Sequence, residues 1–323
     1  MQFNSLEFAL FLPVVFFAYW FVVRGNLKAQ NILMLAASYL FYGWWDWRFL
    51  LLLVLLSLTN YLIGTGISRY RENKAGRVLL VSGLIMNIGV LAFFKYFNFF
   101  IESFIDLVAL TGYNLPQTTL NVILPLGISF YIFLSISYIV DIYKKEIEAD
   151  RNIVDVLLTL SFFPIILAGP IQRPKTLLPQ IKSRREFSYD LAIDGLRLIL
   201  WGLFAKIAIA DTLNPVVEDV FENYQIYSGS TLAIGAFFFT VQIYADFSGY
   251  SNIAIGVGKL FGFRLMQNFA YPYFARDITE FWKRWHISLT AWFRDYVFLP
   301  LSFRISYSIR TPRVLRIRSD HFI

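Results

Sequence analysis

The sequence predicts an all-α, polytopic membrane protein, and three observations carry that expectation. First, the chain is 57% hydrophobic and only 16% charged, where a soluble domain carries roughly a quarter charged residues. Second, apolar stretches near the length of a bilayer crossing, roughly 20 residues, recur along it. Residues 49–67, 78–94, 120–140 and 223–245 each run without a charge. Third, the cations are confined to alternate connecting segments. The short alternating segments of a membrane barrel are absent from the pattern.

Taken in order, spans are expected at 8–23, 30–43, 49–67, 78–97, 120–141, 191–210 and 230–250. The first is not a removable leader, because no basic region precedes it, Glu7 stands at its start and no small-residue cleavage pattern follows. With the N-terminus outside, the inside segments are 24–29, 68–77, 143–153, 171–190 and 259–323. They hold every lysine and arginine except Arg48, Lys95, Arg197 and Lys206. The outside segments 98–119 and 211–229 contain Glu102, Asp106, Asp211, Glu218, Asp219 and Glu222 and no cation. This asymmetry is the positive-inside pattern.

Residues 154–170 break the alternation. They are apolar yet flanked on both sides by basic inside segments, and Pro164, Gly169 and Pro170 interrupt any helix there. A re-entrant or broken helix satisfies both facts, since irregular backbone at membrane depth persists only where protein or a polar cavity surrounds it. A surface-lying helix is the plainer alternative. The tail from Lys259 is basic and amphipathic with no span of its own. With no linker or repeat, residues 1–323 read as a single membrane domain.

Composition narrows the chemistry. The chain has no cysteine and two histidines far apart, His286 and His321. Disulfides, thiolate nucleophiles and S-acyl intermediates on this chain are excluded, and a zinc site has too few soft ligands. The net charge of +7 reports topology rather than a nucleic-acid partner.

Polar groups at membrane depth are functional candidates by default. Asp246 lies in QIYADFSGYSNIAIG beside Ser248, Tyr250, Ser251 and Asn252. The cluster reads either as helix-to-helix glue, with Gly249, Gly256 and Gly258 permitting close contact, or as part of a substrate path. Arg197 and Lys206 read as structural, with Lys206 reaching outward and Arg197 inward or paired to Asp194. The loop GPIQRPKTLLPQI is a rigid basic turn, suited to an anionic donor such as coenzyme A or to lipid headgroups.

The segment FWKRWHISLTAWFRDY, 281–296, holds His286 among Trp282, Trp285, Trp292, Lys283, Arg284, Arg294 and Asp295. On one continuous helix, at roughly 100° per residue, Phe281, Trp282, Trp285, Leu289, Trp292 and Phe293 share one arc. Glu280, Lys283, Arg284, Arg294 and Asp295 fill the other, with His286 at the seam. An imidazole there is either a packed core residue or a proton-transfer group. His321, in RIRSDHFI, reads as exposed.

Together NSLEFALFLP, SYLFYGWWD, LPLGISFYIFLSISYIVDIY, AGPIQRP, QIYADFSGYSNIAIG and NFAYPYFARDITEFWKRWHISLTAWFRDYVFLPL resemble the membrane-bound O-acyltransferase family, in its bacterial, alginate-type branch. The resemblance covers the whole chain. It implies a helical funnel with re-entrant or broken helices and a thinned centre. A cytoplasmic acyl thioester, acetyl-CoA or another, would meet an acceptor from the other face. The acceptor would be the hydroxyls of an exported or cell-envelope polysaccharide. It also implies a bacterial inner-membrane location and a periplasmic or extracellular transferase partner, with no bound cofactor or metal. By motif His286 matches the first family histidine. Asp246, Ser248, Tyr250, Asn252, Trp282, Trp285, Lys283, Arg294 and Asp295 are expected to line the tunnel or hold the donor. Two departures stand out. Asn252 occupies a position where the family often has Asp, and the second family histidine, in a Gly-x-Trp-His-Gly type motif, is not in the sequence. His321 does not replace it, so the reading frame is expected to continue into further apolar spans that carry it. The rival readings are a transporter using Asp246, Arg197 and the broken 154–170 segment, and an inactive, truncated acyltransferase that lacks the second histidine.

Overall fold

The computed structural model describes residues 1–110 and 122–308. Among the described residues the regular structure is helical throughout: α1 Leu6–Phe17, α2 Leu27–Gly43, α3 Trp47–Tyr70, α4 Lys74–Ala109, α5 Ile128–Tyr143, α6 Ile153–Ser161, α7 Phe163–Ile166, α8 Pro174–Lys182, α9 Tyr189–Leu203, α10 Asp211–Glu222, α11 Gly229–Leu260, α12 Ile278–Arg284, α13 Ile287–Phe293 and α14 Leu299–Ser308. Wider π-type turns extend α1 over Ala18–Val22 and α9 over Phe204–Ala210, and another, Arg294–Phe298, joins α13 to α14. Many helices start on a polar cap whose side chain accepts an otherwise unpaired amide. Ser5, Asn26, Asp46, Asn152, Ser188 and Ser228 all do so.

Helices α3, α4 and α11 are long and apolar enough to cross a membrane. Two expected boundaries move. The span expected from 120 starts only at Ile128, because Pro125 and Gly127, at φ +70°, interrupt the chain first. Helix α4 continues to Ala109, so Glu102 and Asp106 of the expected outer loop sit on a helix.

The expected inside segments meet one another. Lys145 pairs with Glu72 at 2.7 Å, Arg71 with Glu148 at 3.5 Å, Lys175 with Glu146 at 2.8 Å and Lys182 with Asp150 at 2.9 Å. Such exposed pairs add little stability, but they show that 68–77, 143–153 and 171–190 share one end of the bundle. Deeper in, buried Asn60 of α3 and Asn87 of α4 exchange side-chain hydrogen bonds of 3.2 and 2.8 Å, the kind of polar contact that holds apolar helices together.

The break expected in 154–170 is present at Phe162, between α6 and α7. Pro164 has no amide to carry α6 onward and its ring would clash with the Leu160 carbonyl of a continuous helix, so the chain turns at Phe162, with ψ 109°. The freed amide of Phe163 donates to Ser38 Oγ on α2 at 3.1 Å, and Phe162 and Phe163 are both wholly buried.

Helices α9 and α11 form an antiparallel hairpin whose contact row is made of glycines. A Cβ on Gly256 would come 2.5 Å from the Gly195 carbonyl, and one on Gly202 2.5 Å from that of Gly249. Ion pairs bracket the row: Asp194 with Lys259, and Lys206 with Asp246 at 2.7 Å. One expectation is thereby corrected: Asp194 does not pair with Arg197, because Lys259 of the facing helix reaches it. Lys206 does reach Asp211, at the start of the expected outside segment, at 2.6 Å, and it is also held by Asp246. Asp246 is therefore turned to α9.

Replacing Gly256 by Leu is expected to destabilise the chain by about 1–3 kcal/mol through overpacking. Gly89→Ala, inside α4 where a Cβ would meet nothing within 4 Å, should raise stability by up to about 1 kcal/mol. Thermal denaturation in detergent compares the two.

Candidate active site

Residues 281–296 do not form the single helix expected. Helix α12 ends at Arg284, Trp285 is extended, and His286 adopts a left-handed conformation, φ 43° and ψ 52°, before α13 begins. Left-handed backbone is uncommon for a residue with a side chain, and it persists only where the surroundings impose it. Here the irregular segment 268–270, before α12, imposes it. Ala270 N–H donates to the Arg284 carbonyl at 3.0 Å and Ile287 N–H to the Asn268 carbonyl at 2.9 Å. The two links staple 268–270 to 284–287, and a continuous helix would use those groups internally.

The staple delivers the Asn268 side chain to His286. Asn268 is wholly buried. Its Oδ1 lies 3.0 Å from His286 Nδ1, 2.9 Å from Ser288 Oγ and 3.4 Å from the Ser288 backbone nitrogen. Its Nδ2 donates to Ser251 Oγ of α11 at 3.0 Å. A backbone N–H can only donate, so the atom facing Ser288 is the carbonyl oxygen of Asn268. That oxygen accepts, so His286 presents a protonated Nδ1 to it. Neutral imidazole carries one proton, and Nε2 is left with the lone pair.

Burial reinforces the neutral form. Phe247 meets the imidazole edge-on at 4.7 Å and Phe269 lies alongside at 6.3 Å. Loss of hydration lowers the His286 pKa from 6.5 to about 4. Nearby Glu280 is held down to about 2 by hydrogen bonds from the Arg276 backbone and side chain and from Arg284, an arrangement that anchors α12 at the surface.

Ser288 connects this site to the basic loop. Its Oγ accepts from the Ile171 N–H of GPIQRP at 3.0 Å and donates to Asn268. Two residues along the loop, buried Arg173 pairs with Asp295 at 3.0 Å and stacks on Tyr296 at 4.8 Å, and the Tyr296 hydroxyl donates to Asp141 at 2.7 Å. Trp292 is buried and donates to Ser137 Oγ at 2.8 Å.

The sequence-derived candidates separate accordingly. On α11, Phe247 and Ser251, four residues apart, face the imidazole network. Asp246 is turned to Lys206, Tyr250 stacks on Phe3 at 4.8 Å, and Ser248 donates back to the Tyr244 carbonyl at 2.5 Å. Asn252 is half-buried one residue beyond Ser251. The single aromatic arc is split by the break at His286. Trp285 stacks on Phe281 at 5.6 Å and meets Phe269 at 5.1 Å, while Trp292 packs on Phe133 at 4.4 Å and Trp282 and Phe293 remain exposed. Lys283 and Arg294 are exposed, and Arg294 binds Asp295 at 2.9 Å. Arg173, one of the two cations of the loop expected to suit an anionic donor, is buried two residues from the Ile171–Ser288 contact. Asn268 and Ser288 were missed altogether. An asparagine and a serine wholly buried in apolar surroundings are the signal, and only the fold shows that burial. His321 lies outside the described residues.

A neutral imidazole held by a buried amide at a chain reversal, inside a helical membrane protein, is the arrangement these residues define. No protein-family model matches the chain. It is 41% identical to the probable alginate O-acetylase AlgI of Pseudomonas putida over 93% of this chain and 61% of that protein. It is 39% identical to the corresponding protein of Azotobacter vinelandii, over 98% of this chain and 62% of the relative. The peptidoglycan O-acetyltransferase of Helicobacter pylori is 33% identical over 93% and 62%. The chain belongs to the membrane-bound O-acyltransferase family, in its bacterial alginate O-acetylase branch. It spans about three fifths of the length of these curated relatives.

The tautomer assignment has a spectroscopic consequence. In protein labelled with 15N-histidine, the His286 resonances should show a protonated Nδ1 and remain those of a neutral ring from pH 7 to near pH 4. Asn268→Asp keeps the acceptor and should raise that pKa by its charge. Asn268→Leu should cost about 1–3 kcal/mol by stranding the buried partners. Because folding lowers the His286 pKa from 6.5 to about 4, its contribution is fully present above 6.5 and is lost as pH falls towards 4. Denaturation midpoints measured across that window check the sign.

Proposed function

We propose that this chain forms the donor-side body of a membrane O-acyltransferase that esterifies the hydroxyls of an exported polysaccharide with an acyl group, acetyl in the first instance. The observation that carries the reading is the Asn268-held imidazole of His286, a neutral ring whose Nε2 lone pair meets no hydrogen-bond donor among the described residues. The names of the relatives support the substrate class, since they act on alginate and on peptidoglycan. Alginate, or a uronic-acid polymer like it, is the acceptor we favour.

In this reading the acceptor hydroxyl, on the polymer or on a carrier that hands the acyl group onward, attacks the carbonyl carbon of an acyl thioester. The C–O bond forms, the C–S bond breaks, and the hydroxyl proton passes through His286 Nε2 to the leaving sulfur. A base of pKa about 4 takes that proton late, as the attacking oxygen loses basicity on bonding to carbon. Asn268 holds the ring and disperses the charge that develops on it. Phe247 and Phe269 exclude water, which would otherwise hydrolyse the thioester. Arg173, fixed between Asp295 and Tyr296 on the loop that touches Ser288, places a cation near the donor's path, with Lys283 and Arg294 on the outer surface to meet phosphates. Acyl-CoA is the donor that chemistry fits.

The basic end of the bundle, where the inside segments join, faces the cytoplasm in this proposal, which puts the N-terminus outside and the chain in the inner membrane of a bacterium. One buried core running from Phe3 to Trp292 supports a single membrane-embedded unit, and an extracytoplasmic transferase is the expected partner.

His286→Ala in the full-length protein is expected to lower polysaccharide O-acylation by about 100-fold or more, the usual worth of a proton-transfer group, with unchanged abundance in the membrane. Ester content of the polymer measured against wild type checks this. Undiminished esterification removes His286 from the reaction.

A further inference from the structure

A cavity of about 790 Å³ opens beside the turn between α1 and α2 and the segment before α9, far along the chain from the histidine site. Its size falls in the range of small-ligand pockets, and its walls have two characters. One wall is aromatic. Phe187 meets Trp20 at 5.5 Å and Phe16 at 6.1 Å, both edge-on, and Trp20 is locked by its donation to the Leu260 carbonyl at 2.9 Å. The rim is cationic, with Arg24 and Arg184 exposed and one acid, Glu186, at a loose 3.9 Å from Arg184.

Buried Arg185 forms the back of the cavity. It is bound inward to Asn31 and the Ile181 carbonyl and covered by the rings of Tyr19 and Phe263. Asn31 in turn donates to Asp155 at 2.7 Å. Arg185 is therefore fixed, and Arg24 and Arg184 are the groups presented to a ligand. At the mouth, a Cβ on Gly25 would meet nothing within 4 Å, and the residue turns the chain at φ +78°, which keeps the opening clear.

The outer face of α1 leads to this mouth. Leu10, Val14, Phe17 and Phe21 are exposed by 65, 69, 59 and 63% and make one apolar stripe at helical spacing that ends at the cavity. An apolar track as long as an acyl chain, running into a cationic, aromatic-walled pocket at the basic end of an expected span, matches one kind of ligand. We infer that this cavity binds the headgroup phosphate of an anionic glycerophospholipid, with an acyl chain laid along α1. The inference is independent of the acyl-transfer reading and survives its failure.

The test uses the whole chain in neutral detergent, with phosphatidylglycerol or phosphatidylcholine added and bound lipid counted by native mass spectrometry. Phosphatidylglycerol should be retained in preference. Each cation near an anionic headgroup is worth roughly a fivefold change in binding. The double variant Arg24→Gln/Arg184→Gln should therefore weaken phosphatidylglycerol binding roughly 25-fold. Lys74→Gln/Arg77→Gln, which removes equal charge from the same basic end, should change it less than about twofold. If the double variant aggregates, the single variants, each expected to lose about fivefold, supply the comparison. Equal retention of the two lipids, or equal losses in the two double variants, overturns the assignment. Inorganic phosphate or coenzyme A competing with phosphatidylglycerol at similar concentration overturns it as well, in favour of a soluble phosphate ligand.

Discussion

The arrangement of the candidate site depends on one buried amide. Asn268 uses its backbone carbonyl to hold Ile287, its Oδ1 to receive Ser288 and His286, and its Nδ2 to grip Ser251. In water each of these bonds would be nearly neutral in free energy. In an apolar interior the alternative to making them is an unpaired polar group, which costs several times more. The left-handed turn at His286, the meeting of the GPIQRP loop with α13, and the orientation of α11 towards the imidazole all follow from satisfying that amide at once.

The same constraint governs the other interruption in the bundle. At Phe162 the helix stops, and the amide it releases is taken by Ser38 from a different helix. Breaks in apolar surroundings persist where another element supplies the missing partner. Both breaks divide what would otherwise be one continuous helix. Elsewhere the polar side chains between helices act as clamps without breaking them: the reciprocal Asn60–Asn87 pair, and the Lys206–Asp246 and Asp194–Lys259 pairs beside the glycine row.

Legibility in the sequence followed the range of the interaction. The apolar spans, their order and the grouping of basic connecting segments on one side are properties of composition and local pattern, and the ion pairs among 68–77, 143–153 and 171–190 agree with them. Pro164 marked the break in 154–170 because proline acts on its immediate neighbours. The break at His286 carried no such mark. Trp285, His286 and Ile287 are acceptable in a helix, and a helical wheel arranged them well. The competing hydrogen bonds come from residues 14 and 19 positions earlier, beyond the reach of any local rule.

Asp246 shows the same limit from the other side. Its sequence neighbours made it part of a polar cluster, yet successive residues of a helix point about 100° apart, and its partner is Lys206 across the hairpin. By itself the sequence determined that this is a multi-helix membrane protein, which end is basic, and that His286 is its most distinctive titratable group. The tertiary structure alone decided that His286 sits at a chain reversal, which ring nitrogen keeps its lone pair, and that Asn268, Ser288 and Arg173 surround it. Those depend on which distant polar groups are buried together, and burial is a property of the packed chain rather than of any residue in it.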